Sequence, residues 1–232
     1  MIDAFYTAAV GTVQVQKGFD VLSNNIANVS TSGFKQSKSS FADLLYTNIR
    51  ASEEDTNLKL GHGAKLKKTD VLHTQGMFQQ TERQLDYAIE GNGYFGVETT
   101  DGIKYTRCGN FEMSEIDGKF YLTATQGGYV LDSKGGRIEV TNAQNDFDIG
   151  VYEFKNTDGL AIEGGLFFNP TETSGEATAV AEPALKRGYL EGSNVDMGQA
   201  MADVISLQRA FQFNARMVQT ADEVMQTVNS LR

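Results

Sequence analysis

The residues of this chain that could do chemistry are few and far apart. GNGYFG, residues 91–96, matches the G-x-G-x-x-G pattern of dinucleotide sites. That pattern holds a pyrophosphate only where a helix follows the glycines. Here the Asp101-Gly102 pair follows between two β-prone runs, so the glycines are predicted to lie at the start of a hairpin and not at a nucleotide site.

Histidine and cysteine provide no stronger candidate. His62 and His73 are the only histidines and have no third ligand at close spacing, so both are interpreted as ordinary strand or loop residues. Cys108 is the only cysteine, which excludes an intrachain disulfide, and it lacks the sequence signature of a catalytic thiol. The sequence therefore predicts no catalytic residue, cofactor, metal or small-molecule substrate, and hence no enzyme.

Charge and hydropathy narrow the choice of partners. The chain has 232 residues, with 20 basic and 30 acidic side chains and a net charge of −10. This balance argues against a surface that binds nucleic acid or an anionic membrane. No segment approaches the roughly 20 apolar residues of a spanning helix, and the N-terminus lacks a signal-peptide pattern. We expect no direct membrane insertion, and export, if it occurs, by another route.

The two ends of the chain differ from its middle. Both prolines and 20 of the 24 glycines lie between Gly61 and Gly192. Apolar residues in the tail of the chain recur at steps of three or four. This spacing predicts a helix of about 36 residues that is capped by Asn194 or Ser193. A weaker periodicity at the N-terminus predicts a second helix over about 2–28.

The middle of the chain has the pattern of short strands and tight turns. Asp101-Gly102, Asp117-Gly118 and Gly135-Gly136 each separate β-prone runs. The sequence thus predicts an α+β fold in which long terminal helices pair as a coiled-coil-like unit beside a central antiparallel β domain, a small barrel or sandwich. The predicted segments are an N-terminal helix (1–35), a connecting arm with an acidic SEEDTN tract (36–62), a β-rich domain (63–188) and a C-terminal helix (189–232).

Two features allow more than one interpretation. The terminal helices could cover one face of the sheet. Alternatively, because they are longer than the small β-rich middle can cover, they could pair with each other or with neighbouring chains. Asn24, Asn25 and Asn28 share a helix face near the end of the first helix. They could simply terminate the helix, or their uncharged amides could also bond to identical neighbours.

Three stretches carry a resemblance to a known family. NNIANVSTSGFK (24–35) resembles the N-terminal signature of the bacterial flagellar basal-body rod and hook-basal body proteins, and the tail from YLEGSNVDMG to the end resembles their C-terminal pattern. TQGMFQQTERQLDYAIEGNGYFGV and YTRCGNFEM resemble the start of the family's β domain. Within the family the chain is most similar to the distal and proximal rod proteins, because its middle is compact.

The resemblance implies a structural subunit of the basal-body rod that assembles helically and transmits torque from motor to hook. Its partners would be itself, other rod and hook subunits, and the flagellar type III export apparatus. The family's fold implies an inner tube of helices and an outer β layer. The expected assembly residues are Asn24, Asn25, Ile26, Asn28, Thr31, Gly33, Phe34 and Lys35, together with Met201, Val204, Leu207, Phe211, Val218 and Met225 on the C-terminal stripe.

Other functions remain open at this stage. Within the family, the chain could be a hook or hook-associated subunit. In other classes, it could be a soluble β-domain enzyme or a surface binding module with coiled-coil oligomerisation. Apolar stripes at both extreme ends favour assembly, whereas an enzyme would require a converging polar site.

Overall fold

The computed structural model describes residues 2–48, 59–116, 118–140 and 147–231. The SEEDTN tract of the predicted arm and Asp117 of one predicted turn lie outside the described residues. The chain forms two compact units: unit 1 contains residues 1–27, 37–70 and 196–232, and unit 2 contains residues 28–36 and 71–195. The chain therefore passes from one unit to the other at four places.

The secondary structure confirms the predicted α+β class. The helices are α1 (Ile2–Ala27) and α2 (Met197–Ser230). The strands in chain order are β1 (Ser37–Asp43), β2 (Tyr46–Asn48), β3 (Lys59–Gly61), β4 (Ala64–Val71), β5 (Phe78–Gln80), β6 (Tyr87–Ile89), β7 (Tyr94–Thr99), β8 (Gly102–Thr106), β9 (Phe111–Ile116), β10 (Lys119–Ala124), β11 (Tyr129–Val130), β12 (Val151–Glu153), β13 (Ala161–Glu163), β14 (Phe167–Asn169), β15 (Thr178–Ala179), β16 (Leu185–Arg187) and β17 (Tyr189–Glu191). In the described part of the chain, neither helix combines the length and apolar character needed to cross a bilayer.

Unit 1 is built on the packing of α1 against α2. A Cβ atom added to Gly11 would lie 3.0 Å from the Asn214 side chain, and one added to Gly18 would lie 3.6 Å from the Leu207 side chain. Seven residues forward on α1 thus correspond to seven residues back on α2, so the helices run antiparallel. Glycine at these positions lets the two backbones approach closely. The predicted pairing of the termini is confirmed.

The most buried positions of α1 differ from the apolar stripe seen in the sequence. Ala8 and Leu22 are buried, whereas Val10 and Val13 are exposed. Ala8, Gly11, Gly18 and Leu22 follow the steps of three, seven and four that one face of a helix requires. Two of these residues are glycines, which hydrophobicity alone does not identify as contact positions.

The N-terminus of α2 differs from the sequence prediction. Asp196, and not Asn194 or Ser193, is the N-cap, and its carboxylate accepts hydrogen bonds from the backbone N–H groups of Gly198 and Gln199. Asp is as good a cap as Asn or Ser. The prediction was wrong because the Asn194 amide bonds elsewhere, to the backbone of Gln36, Leu72 and Thr74.

The described residues of unit 1 also form two small sheets. β1 pairs with β4, and β2 pairs antiparallel with β3. The side-chain carbonyl of Gln14 on α1 accepts a hydrogen bond of 2.9 Å from the backbone N–H of Leu66 in β4. β4, which pairs with strand β1 of the predicted arm, is therefore tied to α1 by a hydrogen bond.

Unit 2 contains a nine-stranded antiparallel sheet. Seven strands follow the order β13-β14-β8-β7-β11-β10-β9, and β12 pairs with both β7 and β15. β7 and β8 form a hairpin around Asp101-Gly102, with Thr99 opposite Gly102, as predicted. β9 and β10 pair antiparallel, with Ile116 opposite Lys119, which confirms the second hairpin. Among the described residues of unit 2, β5 also pairs with β17, and β6 pairs with β16.

The glycines of GNGYFG are explained by backbone geometry and packing. Gly91 and Gly93 have φ angles of 100° and 115°, a region that favours glycine. A Cβ atom on Gly96 would lie 2.6 Å from the Tyr152 ring. The motif leads into β7 and the β7–β8 hairpin, so the hairpin interpretation is confirmed.

The core of unit 2 lies on both faces of β7. Phe95 and Val97 belong to one hydrophobic cluster, and Tyr94 belongs to a second one with Tyr105 and Phe168. Alternate residues of a strand point to opposite faces, so one strand serves both clusters. Strand β8 of this sheet leads directly into the connection that carries Arg107.

The close packing at Gly11 leads to a test of the helix pair. Gly11→Leu would insert a side chain where Asn214 lies, so we expect the free energy of unfolding to fall by about 1–3 kcal/mol, as in other overpacked contacts. Val10→Leu on the exposed side of α1 is the matched control and should change stability by less than about 0.5 kcal/mol. Chemical denaturation followed by circular dichroism measures both. Equal effects would contradict the packing described for Gly11.

Candidate functional site

The end of α1 leads into a tightly built loop, residues 28–36, called here the N-terminal loop. The helix ends at Ala27, one residue before the predicted end. Thr31 then donates from its backbone N–H to Asn28 O (3.1 Å) and from its hydroxyl to Asn28 Oδ1 (3.2 Å). Helix termination by asparagine and threonine is therefore confirmed as one role of this sequence.

Gly33 is the position in this loop with the strictest steric requirement. Its φ is 73°, and a Cβ atom would lie 2.5 Å from the backbone nitrogen of Cys108. Its N–H donates to Glu191 O at 2.7 Å. Only glycine satisfies both the backbone angle and the close approach. The loop is thus held against the β8–β9 connection and against β17.

A buried charge network lies next to Gly33. The Lys35 ammonium is 2.5 Å from Glu191 Oε1, and the Arg107 guanidinium is 3.0 Å from Glu191 Oε2. The exposed fractions of the three side chains are 1%, 3% and 0% for Lys35, Arg107 and Glu191. Buried charges remain in a fold only when they are paired and hydrogen-bonded.

Lys35, Arg107 and Glu191 also bond to backbone groups, whereas Arg107 Nε is buried without a hydrogen-bond partner among the described residues. Lys35 also donates to Thr74 O at 2.7 Å, and Arg107 donates to Gly91 O at 2.7 Å. The backbone N–H of Gly76 donates to Glu191 Oε1 at 2.8 Å. Burial lowers the pKa of Lys35, an effect that the Glu191 carboxylate opposes. The network therefore joins the N-terminal loop, β17 and the strand β5 region through one carboxylate.

Asn194 makes a second connection between the same parts of the chain. Its Oδ1 accepts from the Gln36 backbone N–H at 2.7 Å. Its Nδ2 donates to Leu72 O at 2.7 Å and to Thr74 O at 3.1 Å. One amide uses both its donor and its acceptor capacity, which explains why Asn occupies this position.

Asn25 has a similar role inside unit 1. It is 1% exposed, its Nδ2 donates to Ser37 O at 2.7 Å, and its Oδ1 accepts from the Ser37 N–H at 2.9 Å. Asn24 is exposed, and Ile26 and Asn28 are half-buried. The three asparagines of the predicted stripe thus have different surroundings, and the amide of Asn25 is used within its own chain.

The predicted residues of α2 divide between two environments. Val204, Leu207, Val218 and Met225 are half-buried, whereas Met201 and Phe211 are exposed. Steps of four, three and four place Ala200, Val204, Leu207 and Phe211 on one face. We call this face, continued by Asn214, Val218, Ala221 and Met225, the seam.

His73 lies close to the network. Its Nδ1 is 2.6 Å from the Tyr94 hydroxyl. Burial lowers the pKa of His73, as do the charges of Lys35 and Arg107, whereas Asp158 opposes them. Burial also raises the pKa of Tyr94 to about 12, so this phenol keeps its proton at neutral pH. A neutral imidazole facing a protonated phenol is the stable arrangement here.

Two of the residues predicted for assembly lie at this site, and their role in assembly stays a prediction. Phe34 and Lys35 were among the predicted assembly residues, and both are buried in unit 2. Arg107 and Glu191 were not assigned a role. The only available signal was their position inside stretches that resemble the family, YTRC and YLEG. A charge between apolar residues does not reveal that its partner is 84 residues away.

Gly33 provides a direct test of the N-terminal loop. Gly33→Ala should lower the free energy of unfolding of unit 2 by about 2–4 kcal/mol, because the methyl group meets the Cys108 backbone and the φ angle is strained. Gly164 is the matched control, since its φ is 63° and no atom lies within 4 Å of an added Cβ. Gly164→Ala should cost only about 1 kcal/mol. Denaturant titrations compare the two, and similar costs would refute the close contact.

The surroundings of His73 predict a dependence on pH. A lowered pKa means that the folded protein binds a proton less readily than the unfolded chain, so stability is full above pH 6.5 and falls as the pH drops below it. The loss is at most about 1.4 kcal/mol for each pH unit. His73→Gln should remove this component. Denaturation between pH 7.5 and 5 should show a stability gap between wild type and variant that changes with pH, whereas parallel curves would rule out the effect.

Comparison with known proteins agrees with the geometry. Three family models match the chain: flagella basal body rod protein at residues 5–35, flagellar hook protein FlgE/F/G D1 domain at residues 88–152, and flagellar basal body rod FlgEFG protein C-terminal at residues 186–231. The matches at the two ends include the N-terminal loop up to Lys35 and the segment that carries Glu191.

Full-length relatives carry the name of one rod protein. The chain is 34% identical to the flagellar basal-body rod protein FlgG of Bacillus subtilis and 33% identical to that of Caulobacter vibrioides, over 100% of both chains in each case. It is 32% identical to the FlgG of Borreliella burgdorferi over 100% of this chain and 99% of the relative. The resemblance seen in the sequence is confirmed, and the chain belongs to the flagellar basal-body rod protein family.

Proposed function

We propose that this protein is a structural subunit of the flagellar basal-body rod that self-assembles through α1 and α2. The observation that carries the proposal is a second apolar stripe on α2, called here the outer stripe. It consists of Phe213, Met217, Val224 and Leu231, at steps of four, seven and seven. All four side chains are exposed, Phe213 by 67% and Met217 by 43%.

A helix pair that is soluble on its own does not need a second apolar stripe on its outer face. The seam of α2 already packs against α1, so the outer stripe is available to another molecule. Exposed apolar surface gains about 25 cal/mol for each Å² that a neighbour covers. Large apolar side chains that recur on one exposed helix face therefore favour association. Heptad-like spacing suits helices as the partner, and copies of α1 and α2 provide them.

The family relationship supports the same location and partners. Its relatives are named as basal-body rod proteins, so we place this chain in the bacterial flagellar basal body, with other rod and hook subunits as neighbours. In this role it transmits torque from motor to hook, reaches its position through the flagellar type III export apparatus, and has no catalytic activity. The helices form the inner, polymerising layer, and the β-rich part forms the outer one.

Substitutions at two adjacent residues of α2 can distinguish an effect on folding from an effect on assembly. Met217 belongs to the outer stripe and Val218 to the seam. Met217→Asp should leave the stability of the monomer within about 0.5 kcal/mol of wild type, because the side chain is exposed there, but should abolish polymer formation and motility. Val218→Asp should in addition lower the free energy of unfolding by about 1–3 kcal/mol, because its carboxylate would enter the contact with α1. Denaturation and basal-body imaging measure the two effects.

Glu223→Gln is the control for this pair of variants. Glu223 is exposed and lies outside both the seam and the outer stripe, so its replacement should change neither stability nor assembly. Cells that carry Met217→Asp and still build normal rods would disprove the role of the outer stripe. Normal stability of Val218→Asp would instead disprove the assignment of Val218 to the seam.

A further inference from the structure

Glu191 connects its own stretch of unit 2 with three others. Its carboxylate accepts from Lys35 of the N-terminal loop, from Arg107 at the end of β8 and from the Gly76 backbone N–H. Its own carbonyl accepts from the Gly33 N–H. We call residues 189–195, which carry Glu191, the C-terminal segment. Through its side chain and its backbone, Glu191 therefore joins the C-terminal segment to the N-terminal loop.

The network lies at the places where the chain leaves unit 2. Lys35 precedes the passage at residues 36 and 37, Thr74 follows the one at 70 and 71, and Asn194 precedes the one at 195 and 196. Lys35 and Asn194 both bind Thr74 O, at 2.7 and 3.1 Å. Three connecting segments are thus held together by the same few polar groups.

We propose that Lys35, Arg107 and Glu191 form a latch that makes the docking of the N-terminal loop depend on the docking of the C-terminal segment. The latch contains two buried cations and one buried carboxylate, so Glu191 is the counter-charge that both cations share. If the C-terminal segment leaves, Lys35 and Arg107 face each other without a counter-charge, and the N-terminal loop is repelled.

The dependence is unequal in the two directions. If the N-terminal loop leaves instead, Glu191 keeps its pair with Arg107 and its bond from Gly76, so the C-terminal segment is weakened but remains charge-balanced. Loss of Glu191 should therefore disturb the N-terminal loop more than loss of Lys35 disturbs the C-terminal segment. A role limited to generic packing would show no such order, because the two side chains are equally buried.

The meaning of the latch for assembly rests on the proposed function, since the latched segments lead into α1 and α2. If either the N-terminal loop or the C-terminal segment of a subunit is displaced, the other is also bound less tightly. The latch thus raises the fraction of subunits in which both segments are docked, and we expect these subunits to enter the polymer. The latch itself concerns the fold of unit 2 and can be tested in dilute protein without any polymer.

Hydrogen exchange of single amides, followed by NMR on the full chain, tests the latch. Glu191→Gln should speed exchange of the Gly33 N–H by about tenfold or more, although its acceptor is the unaltered backbone carbonyl of residue 191. Lys35→Met should speed exchange of the Gly192 N–H, which bonds to Met77 O, by a smaller factor of about three to ten. The Val97 amide in β7 reports on the core and should not change.

Lys186→Met is the matched control variant. Lys186 pairs with Glu90 at 3.0 Å in the same unit, but both side chains are solvent-accessible, so exchange at Gly33 and Gly192 should stay as in wild type. Unchanged Gly33 exchange in Glu191→Gln would overturn the proposal, as would a larger effect from Lys35→Met. Faster exchange at Val97 in both variants would make the network part of the core, which also overturns the latch.

An assembly measurement tests the functional half separately. Glu191→Gln leaves the seam and the outer stripe intact, yet it should reduce polymer yield at a given protein concentration by about tenfold, in line with the loss of docked ends. Normal polymer yield would overturn the role of the latch in assembly. Failure of the proposed function has a different signature, because Met217→Asp would then assemble normally while the exchange results remain as expected.

Discussion

The burial of one carboxylate between two cations is the constraint on which unit 2 depends. Taking a charge out of water costs several kcal/mol unless it is paired and its hydrogen-bonding capacity is used. Glu191 meets this condition with Lys35, Arg107 and the Gly76 N–H. These groups come from four separate stretches of sequence, so the network exists only when all four are folded together.

The glycines around the network follow from the same constraint. Gly33 touches the backbone at Cys108, and a Cβ atom on Gly76 would lie 2.1 Å from Gly192 O. Backbones must come this close for their N–H groups and carbonyls to satisfy buried charges. The N–H of Gly76 reaches the buried Glu191 carboxylate in this way, and the greater freedom of glycine in the unfolded chain is the entropic cost.

Unit 1 meets a different constraint with different residues. Its helices pack through Gly11 and Gly18 on one side and through Asn214 and Leu207 on the other. Close helix packing leaves the large apolar residues of the outer stripe on a separate face. The same helix can then serve its own fold through the seam and, in our proposal, the polymer through the outer stripe. Each face has its own residues, so the two functions can be changed independently.

What the sequence alone determined is local in nature. Periodicity predicted both helices, Asp-Gly pairs predicted the hairpins, and the polar cluster after Ile26 predicted where α1 ends, because each depends on neighbours a few residues apart. The face of α1 that packs against α2 was missed, since Ala8, Gly11 and Gly18 have little hydrophobic signal. The Asn194 cap was wrong because its amide binds Leu72 and Thr74 far away in sequence. The Lys35–Glu191–Arg107 network was decided only by the tertiary structure, since pairing across 156 and 84 residues leaves no periodic trace in the chain.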